Sequence, residues 1–189
     1  RYRAFLMRAF GEVLARVSPP ASGLDFGCGP GPALVAMGRE SGFEMAGYDK
    51  FYADDPELLS REYDFITSTE VVEHLADPRA VLDGLWARLK PGGVLGVVDH
   101  RADPARPAAE QLKAGYLRED DVIALVEKAG FRLVARAEIA ANPRDTKDHP
   151  QGVWTLPPSL RLKALDRERY LKIGESDKFT LKFVKIAPQ

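Results

Sequence analysis

Residues 24–31 of this 189-residue chain read Leu24-Asp25-Phe26-Gly27-Cys28-Gly29-Pro30-Gly31. Three glycines at alternate positions, directly after a short apolar stretch, allow the backbone to turn sharply and to approach a ligand without side-chain interference. Pro32 is a favourable first residue for a helix, whose free N–H groups would point back at the loop. The stretch therefore predicts a strand, a glycine loop and a helix, which is typical of ligand-binding turns in α/β folds.

The segments around this loop alternate between strand and helix patterns. Apolar runs predict strands over 23–26, 43–48, 63–68, 94–98, 131–139 and 178–186. Helical spacing predicts an N-terminal helix within residues 1–20, over 2–17, then helices over 32–41, after Pro78, and after a cap at Asp120 or Asp121. This alternation implies one α/β domain over residues 1–189, with a mostly parallel sheet covered by helices on both faces. Ligands bind such sheets at the carboxyl ends of the strands, here residues 25–31, 49, 67–74 and 99–101.

The composition is that of an ordinary globular protein, with 45% hydrophobic and 29% charged residues and a net charge of −1. Every apolar run is shorter than the roughly 20 residues that span a bilayer, so we expect no membrane association. The near-zero net charge gives no general attraction to nucleic acid, so we expect no nucleic-acid partner. One cysteine, Cys28, excludes an internal disulfide and suits the cytoplasm, where thiols stay reduced.

An acid, Asp49, ends the second predicted strand at about the spacing expected after a nucleotide-binding loop. Its carboxylate can accept hydrogen bonds from both hydroxyls of a ribose. A nicotinamide-binding fold would instead require the pattern G-x-G-x-x-G, and this loop reads G-x-G-x-G with Asp25 two residues before it. If the loop only made a tight turn, the presence of an acid at the expected spacing, Asp49, would be a coincidence.

Four blocks of the chain, in this order, resemble the class I S-adenosylmethionine-dependent methyltransferases. They are residues 24–31, Gly47-Tyr48-Asp49, Tyr63-Asp64-Phe65-Ile66 and Leu89-Lys90-Pro91-Gly92-Gly93. The resemblance covers nearly the whole chain and implies a Rossmann-like domain that binds S-adenosylmethionine and transfers its methyl group. Residues up to about Val98 are similar to the methyltransferase-domain type. From Asp99 onwards, the chain is more similar to a group of bacterial predicted methyltransferases that normally carry a different glycine loop.

The resemblance also implies which residues contact the cofactor. The loop would cradle the methionine part with Asp25 beneath it, Asp49 would hold the ribose, and Glu70 would lie near the sulfonium. The implied cofactor-binding set is Asp25, Gly27, Cys28, Gly29, Gly31, Asp49, Lys50, Thr69 and Glu70. We interpret Cys28 as a small loop residue and not as a catalytic thiol, because no base is evident beside it.

The segment after Asp49 departs from the family pattern. Only 13 residues separate Asp49 from Tyr63, where the family usually has a helix and an edge strand. A loop and one short helix fit there, so we predict six strands, with the edge strand after Asp49 missing. Phe51 or Tyr52 would then cover the edge of the neighbouring strand or stack on adenine.

The candidate catalytic residues are His100, Asp99 and Glu70. His100 follows a predicted strand at the mouth of the site, and an imidazole with a near-neutral pKa suits a general base. Asp99 could orient that ring. The alternative is that Asp99 caps the following loop and that His100 is an ordinary surface residue.

The stretch Glu70-Val71-Val72-Glu73-His74 is a candidate metal site. If a helical turn begins directly after residues 67–69, Glu70, Glu73 and His74 share one face and could bind a divalent metal such as Mg²⁺, with His100 as a fourth ligand. The pattern resembles the metal site of small-RNA 2′-O-methyltransferases and of some ubiquinone-pathway O-methyltransferases. It also occurs in methyltransferases with no known metal, where Glu70 lines the cofactor pocket and the other two stabilise the turn.

A long polar connection over residues 141–157 is either a lid over the acceptor or an arm that docks on its own sheet or on a second subunit of a homodimer. Together these features predict a methyltransferase that uses S-adenosylmethionine to methylate oxygen or nitrogen of a small molecule. The alternatives are a protein that binds the cofactor without methyl transfer, and an RNA or protein methyltransferase.

Overall fold

The computed structural model describes residues 3, 6, 7, 10, 11, 13 and 15–186. Within that part of the chain, one sheet contains six strands, namely β1 (Ser22–Phe26), β2 (Glu44–Tyr48), β3 (Tyr63–Thr69), β4 (Leu89–His100), β5 (Phe131–Ala137) and β6 (Lys178–Lys185). Their order is β2-β1-β3-β4-β6-β5. The first four strands pair in parallel, and β6 lies antiparallel between β4 and β5. The predicted six-stranded α/β fold is confirmed.

Besides the partly described N-terminal helix, the described residues form five α-helices: α1 (Ala33–Glu40), α2 (Pro78–Arg88), α3 (Ala108–Lys113), α4 (Glu119–Lys128) and α5 (Arg167–Ile173). Three 3-10 turns accompany them, Pro56–Ser60, Val72–His74 and Gly152–Thr155. Asp77 caps α2 by accepting the Ala80 N–H at 3.0 Å. The predicted cap at Asp120 or Asp121 is wrong, because α4 begins at Glu119 and both acids lie within its first turn. None of the described helices is long and apolar enough to cross a membrane.

The two faces of the sheet carry separate cores. On one face, α2 and α4 pack Leu82, Leu85, Val122 and Val126 over strand residues that include Leu24, Ile66 and Leu95. On the other face, α1 and the N-terminal helix pack against β2, β3 and β4. Of the predicted N-terminal helix, residues 3, 6, 7, 10, 11 and 13 are helical, residues 15–17 are not, and the rest lies outside the described residues. The helices packed on both faces hold the strands in place, and the carboxyl ends of these strands form the candidate site.

Strand β2 is an edge of the sheet. Residues 50–62, all of them described, contain one 3-10 turn and no further paired strand. Phe51 and Tyr52 do not cover this edge, since they are 84% and 65% exposed. Asp49 accepts the N–H groups of both residues in a turn that closes with an Asp49–Ala53 bridge, and both rings remain in solvent. The predicted edge cover is therefore wrong.

Candidate functional site

The glycine loop follows the carboxyl end of β1 and is hydrogen-bonded to the carboxyl end of β2. The N–H groups of Gly27 and Cys28 both donate to the Tyr48 carbonyl, at 2.8 and 3.1 Å. Gly27 has a φ of 80°, and a Cβ there would lie 2.3 Å from the Val71 side chain, so this position requires glycine. A Cβ on Gly29 or Gly31 would meet no described atom within 4 Å. The loop is thus fixed on its inner side and open above the later glycines, which fits a bound group that approaches the backbone closely.

Asp25 lies beneath this loop and is buried. Its Oδ1 accepts a hydrogen bond from the Thr67 hydroxyl at 2.9 Å. Burial raises the pKa of the Asp25 carboxyl to about 6, and the Thr67 hydrogen bond opposes only part of that rise. A carboxyl held under the loop in this way ties β1 to β3 at the floor of the site.

Asp49 connects β2 to the loop. Its Oδ2 accepts the Gly29 N–H at 3.0 Å, and its Oδ1 accepts those of Phe51 and Tyr52 at 2.9 and 3.2 Å. A carboxylate offers about four acceptor positions, so about one is left in this arrangement. The implied contact to both ribose hydroxyls stays a prediction, and it would require one of these backbone N–H groups to be displaced.

The remaining residues at the loop differ in exposure. Cys28 is half-buried and lies beside Gly47, where an added Cβ would meet its Sγ at 3.1 Å. Burial, and secondarily the carboxylates of Asp25 and Asp49, raise the pKa of the Cys28 thiol to about 11. The thiol is therefore protonated at neutral pH, as expected for a loop residue that fills space. Lys50 is exposed at the surface beside Asp49.

Glu70 follows Thr69, the last residue of β3. Its backbone is left-handed, with a φ of 57°, and its N–H donates to the Val98 carbonyl at 2.8 Å. Its Oε1 lies 3.1 Å from Nζ of Lys178, a buried lysine that also contacts Glu175 at 3.2 Å. Sequence reasoning missed Lys178, although a lysine at the start of an apolar strand is a signal of a buried ion pair.

Glu73, Asp99 and His100 form a compact buried group, in which one ligand atom from each residue lies within 4.8 Å of the others. Oε1 of Glu73 lies 3.7 Å from Nε2 of His100. The Glu73 side chain is only 3% exposed, and its Oε2 has no hydrogen-bond partner among the described residues. Because a buried oxygen is rarely left unpaired, this atom is consistent with a proton shared with the Asp99 carboxyl, which lies within hydrogen-bond reach of the Glu73 side chain.

Burial governs the protonation of this group. It lowers the pKa of His100 to about 4, so the imidazole is neutral at physiological pH and the near-neutral pKa predicted for this ring is wrong. It also raises the pKa of Glu73, and it raises that of Asp99 well above the ordinary value, with the nearby Glu73 carboxylate adding to the rise. Two adjacent buried carboxyls cannot both ionise without a compensating cation, so the pair holds a proton or a cation.

The predicted metal set is only partly assembled. The helical turn expected directly after Thr69 is absent, because the left-handed Glu70 is followed by a 3-10 turn that begins at Val72. Glu70 is turned to Lys178, and the His74 side chain is 59% exposed, although its Nε2 lies 3.6 Å from Glu73 Oε1. The structure gathers Glu73 with Asp99 and His100 instead.

The predicted orienting contact from Asp99 to the His100 ring is also absent. The Asp99 carboxylate accepts the backbone N–H groups of Val72 and His100, at 3.2 and 2.7 Å. Nδ1 of the ring lies 2.5 Å from Oγ of Ser176. Asp99 therefore fixes the backbone around the cluster, and Ser176, a residue that sequence reasoning missed, contacts the ring.

Residues 141–157 dock on their own domain. Asp145 is buried and accepts hydrogen bonds from Tyr116 Oη at 3.0 and 3.1 Å and from His149 Nε2 at 2.9 Å. It also accepts the N–H groups of Lys147 and Asp177, at 2.9 and 2.8 Å. A fully satisfied buried carboxylate of this kind anchors the middle of the segment to its own domain, and the choice between a lid and an arm stays a prediction.

Comparison with known proteins gives one family and a set of similar folds. Residues 1–136 match the methyltransferase domain family. A ubiquinone biosynthesis O-methyltransferase from Dinoroseobacter shibae is 28% identical, over 70% of this chain and 59% of its own length. The chain thus spans less than two thirds of this relative.

Two solved structures share the fold. The 1,6-didemethyltoxoflavin-N1-methyltransferase of Burkholderia thailandensis, solved with S-adenosylhomocysteine bound, has a TM-score of 0.62 at 15% identity and covers 98% of this chain and 80% of its own. The cyclase SpnF has a TM-score of 0.66 at 15% identity, covering 96% and 82%. At these identities the likeness concerns the fold alone.

Proposed function

This chain belongs to the methyltransferase domain family, and from that premise we propose that it transfers the methyl group of S-adenosylmethionine to an oxygen or nitrogen of a small molecule. The observation that carries the proposal is the glycine loop, which is fixed beneath by Val71 and open above Gly29 and Gly31. That shape accommodates a ligand lying against the backbone. The O-methyltransferase relative and the N-methyltransferase fold neighbour support the same chemistry.

The proposed cofactor contacts follow from this shape. Gly27 to Gly31 would hold the methionine part, Asp25 and Thr69 would border it, and Asp49 would bind the ribose with Lys50 at the rim. Cys28 would fill the base of the loop. When bound, S-adenosylmethionine supplies an activated methyl group, so the chain has to align the acceptor and to take up its proton.

We assign the proton-accepting role to His100. Its imidazole is unprotonated at physiological pH, because burial lowers its pKa to about 4, and this low pKa also makes it a weak base, so the assignment rests on the position of the ring and not on its basicity. Its Nε2 faces Glu73, so a lone pair there could accept a proton from a hydroxyl or amine. Asp99 would act by holding the backbone of Val72 and His100, and Glu70 would line the cofactor pocket with its carboxylate held by Lys178.

The proposal also specifies that the acceptor is a small molecule and that the reaction takes place in the cytoplasm. The net charge of −1 gives the chain no general attraction to RNA, and a single cysteine suits a reducing compartment. The relative's name points to ubiquinone biosynthesis, whose O-methylation requires a hydroxyl acceptor. Phenols and catechols are therefore the first acceptors to test.

The test is turnover. The chain would be incubated with S-adenosylmethionine and a panel of phenols, catechols and amines, and S-adenosylhomocysteine and methylated products would be measured by mass spectrometry. We expect product with at least one small acceptor and a large loss of rate in His100→Gln, with cofactor binding retained. Cofactor binding without turnover on any acceptor, including RNA and protein, would instead support the alternative of a binding protein. Turnover restricted to RNA or protein would contradict the small-molecule assignment.

A divalent cation is a second use of the same buried group. Glu73, Asp99 and His100 offer two carboxylates, which suit Mg²⁺ or Mn²⁺, and an imidazole, which is a weaker ligand for these ions, and Oε2 of Glu73 is buried without a described hydrogen-bond partner. A cation there would orient an acceptor oxygen and, by binding Nε2 of His100, would replace the proton-accepting role assigned to that nitrogen. Mg²⁺ or Mn²⁺ should then raise the melting temperature of the chain but not of Glu73→Gln, and excess chelator should abolish turnover. Full turnover in excess chelator would exclude this role.

A further inference from the structure

An open groove lies beside α5. It is lined by Arg144, Glu168, Arg169, Lys172 and Ile173, and its volume is about 510 Å³. Arg144 belongs to the docked segment 141–157, and the other four residues belong to α5. Small-molecule sites measure roughly 300–1,000 Å³, so the groove has room for a small ligand.

Three of the lining side chains are cations without a counter-charge in the described part of the chain. No carboxylate oxygen there lies within 4.0 Å of a charged nitrogen of Arg144, Arg169 or Lys172. Two of them have uncharged partners: Nε of Arg144 lies 3.5 Å from Oδ1 of Asn142, and the Arg169 guanidinium lies 5.7 Å from the centre of the Tyr170 ring. Positive charge is thus concentrated in one groove of a chain whose net charge is −1.

The carbonyl end of α5 does not use these cations as hydrogen-bond donors. A lysine or arginine near the end of a helix can bond to its last carbonyls. Here Asn142 has this role, since its Nδ2 donates to the carbonyls of Ile173 and Glu175, at 2.9 and 2.5 Å. Among the described residues, neither Arg144 nor Lys172 donates to these two carbonyls. The charged ends of both side chains are therefore left for a ligand or for water.

The backbone on both sides of the groove is held in place. Arg144 lies between Asn142, which is bonded to the end of α5, and the buried Asp145. On the other side, Tyr170 is buried, and its ring packs edge-on against His149 with the ring centroids 5.9 Å apart. A ligand that binds here has only side chains to order, which favours binding.

The charge of the groove matches that of a phosphate monoester. Three cations and the one lining carboxylate, Glu168, leave two net positive charges. A phosphate monoester carries about −1.5 to −2 charges at pH 7, and the planar donors of arginine pair well with its oxygens. Glu168 would repel a longer polyanion such as RNA, and the net charge of the chain provides no wider attraction to one.

We propose that this groove binds a soluble phosphate monoester, with Arg144, Arg169 and Lys172 as hydrogen-bond donors to the phosphate oxygens. The ligand would connect the segment 141–157 to α5. The site includes no residue of the glycine loop, and it would bind its ligand whether or not the chain transfers methyl groups.

Isothermal titration calorimetry with glycerol 3-phosphate, at pH 7 and constant ionic strength, tests the site. We expect saturable binding to one site, and no binding of glycerol, which lacks the phosphate. Arg144→Gln/Lys172→Gln should raise the Kd at least about tenfold, since charge-assisted hydrogen bonds from two side chains are lost. Lys128→Gln/Arg132→Gln, which removes two exposed cations from α4 and β5, is the matched control and should leave the Kd unchanged.

Two results of this titration would overturn the proposal. One is the absence of saturable glycerol 3-phosphate binding by the wild-type chain, which requires no variant to fold. The other is equal weakening in the two double variants, because that would show a general effect of charge and not a site.

Glu168→Gln provides a test of opposite sign. Removal of the carboxylate from the groove should lower the Kd for glycerol 3-phosphate severalfold, because its repulsion of the phosphate is lost. Damage to the fold would not tighten binding, so this variant is decisive even if Arg144→Gln/Lys172→Gln does not fold. An unchanged or higher Kd in Glu168→Gln would overturn the placement of the phosphate in this groove.

A lipid headgroup could supply the same phosphate chemistry. Sedimentation with phosphatidylglycerol vesicles, and with phosphatidylcholine vesicles as the reference, distinguishes the two sources. We expect the chain to stay in the supernatant with both kinds of vesicle. Sedimentation with phosphatidylglycerol that requires Arg144 and Lys172, in a chain that does not bind glycerol 3-phosphate, would overturn the assignment to a soluble ligand.

Discussion

Replacing Asp145 with alanine should destabilise the chain more than any surface substitution. The side chain is fully buried and accepts hydrogen bonds from Tyr116, His149 and the N–H groups of Lys147 and Asp177. Each buried donor left unpaired costs about 1–3 kcal/mol, but such costs are not additive. Because the substitution removes the acceptor of four donors at once, we expect a total loss of about 3–5 kcal/mol.

The assay is thermal and urea unfolding followed by circular dichroism. For a domain of this size, about 1 kcal/mol corresponds to about 2–4 °C, so the melting temperature of Asp145→Ala should fall by about 6–20 °C. Asp148→Ala is the control, because Asp148 is 52% exposed and has only surface partners, an ion pair with Arg106 at 3.6 Å and a hydrogen bond from the Thr146 hydroxyl. Its loss should stay within about 0.5 kcal/mol. If Asp145→Ala unfolds outright, Asp145→Asn should give a smaller loss in the same direction. Equal stability of the two alanine variants would refute the view that residues 141–157 are anchored at Asp145.

Three further predictions concern the floor of the site. Asp49→Ala should weaken S-adenosylhomocysteine binding by about 1–3 kcal/mol in calorimetry, which is the cost of hydrogen bonds lost from a charged acceptor. Substitution of the exposed Asp54 with alanine should not weaken binding. Unchanged affinity in Asp49→Ala would remove Asp49 from the ribose role. Gly27→Ala should lower the free energy of unfolding by at least about 1 kcal/mol in urea, because the residue has a φ of 80° and its new Cβ would strike Val71. Gly31→Ala, the control, should be nearly neutral. Equal urea midpoints for the two variants would contradict this account. Asp25→Asn should gain stability relative to wild type as pH rises from about 4 to about 6. The folded pKa of about 6 exceeds the ordinary 3.8, so over this range the unfolded wild-type chain loses the proton that the folded chain keeps, and folding becomes less favourable. A stability difference that does not vary with pH would show that the acid is not buried as described.

The parts of the fold that depend on local pattern could be predicted from the sequence. Alternating apolar segments and the glycine loop gave the six strands and the shared edge where their carboxyl ends meet. The missing edge strand followed from counting 13 residues between Asp49 and Tyr63. Short helices such as Ala108–Lys113 and Arg167–Ile173 were missed, because six or seven residues show too little periodicity to distinguish from loop.

The contacts of the candidate catalytic group could not be predicted, because they depend on distant segments. Ser176 is 76 residues from His100 in sequence and reaches its ring only because β6 lies beside β4. The metal prediction assumed a helical face after Thr69, but the left-handed backbone of Glu70 starts a different turn. Phe51 and Tyr52 remained in solvent because Asp49 holds their backbone in a tight turn, which hydrophobicity alone does not reveal.

The position of β6 has a consequence for how the domain is made. This strand is the last of the six in sequence, yet it lies between β4 and β5 and pairs with both. During synthesis, β5 has no neighbour in the sheet until residues 178–185 have left the ribosome, and β4 has an open edge. Ser176 and Lys178 arrive with the same strand, so a nascent chain can complete its glycine loop well before His100 acquires its partner. Under the proposed function, cofactor binding would thus precede methyl transfer, and insertion of β6 late in folding would complete the sheet and the candidate catalytic group together.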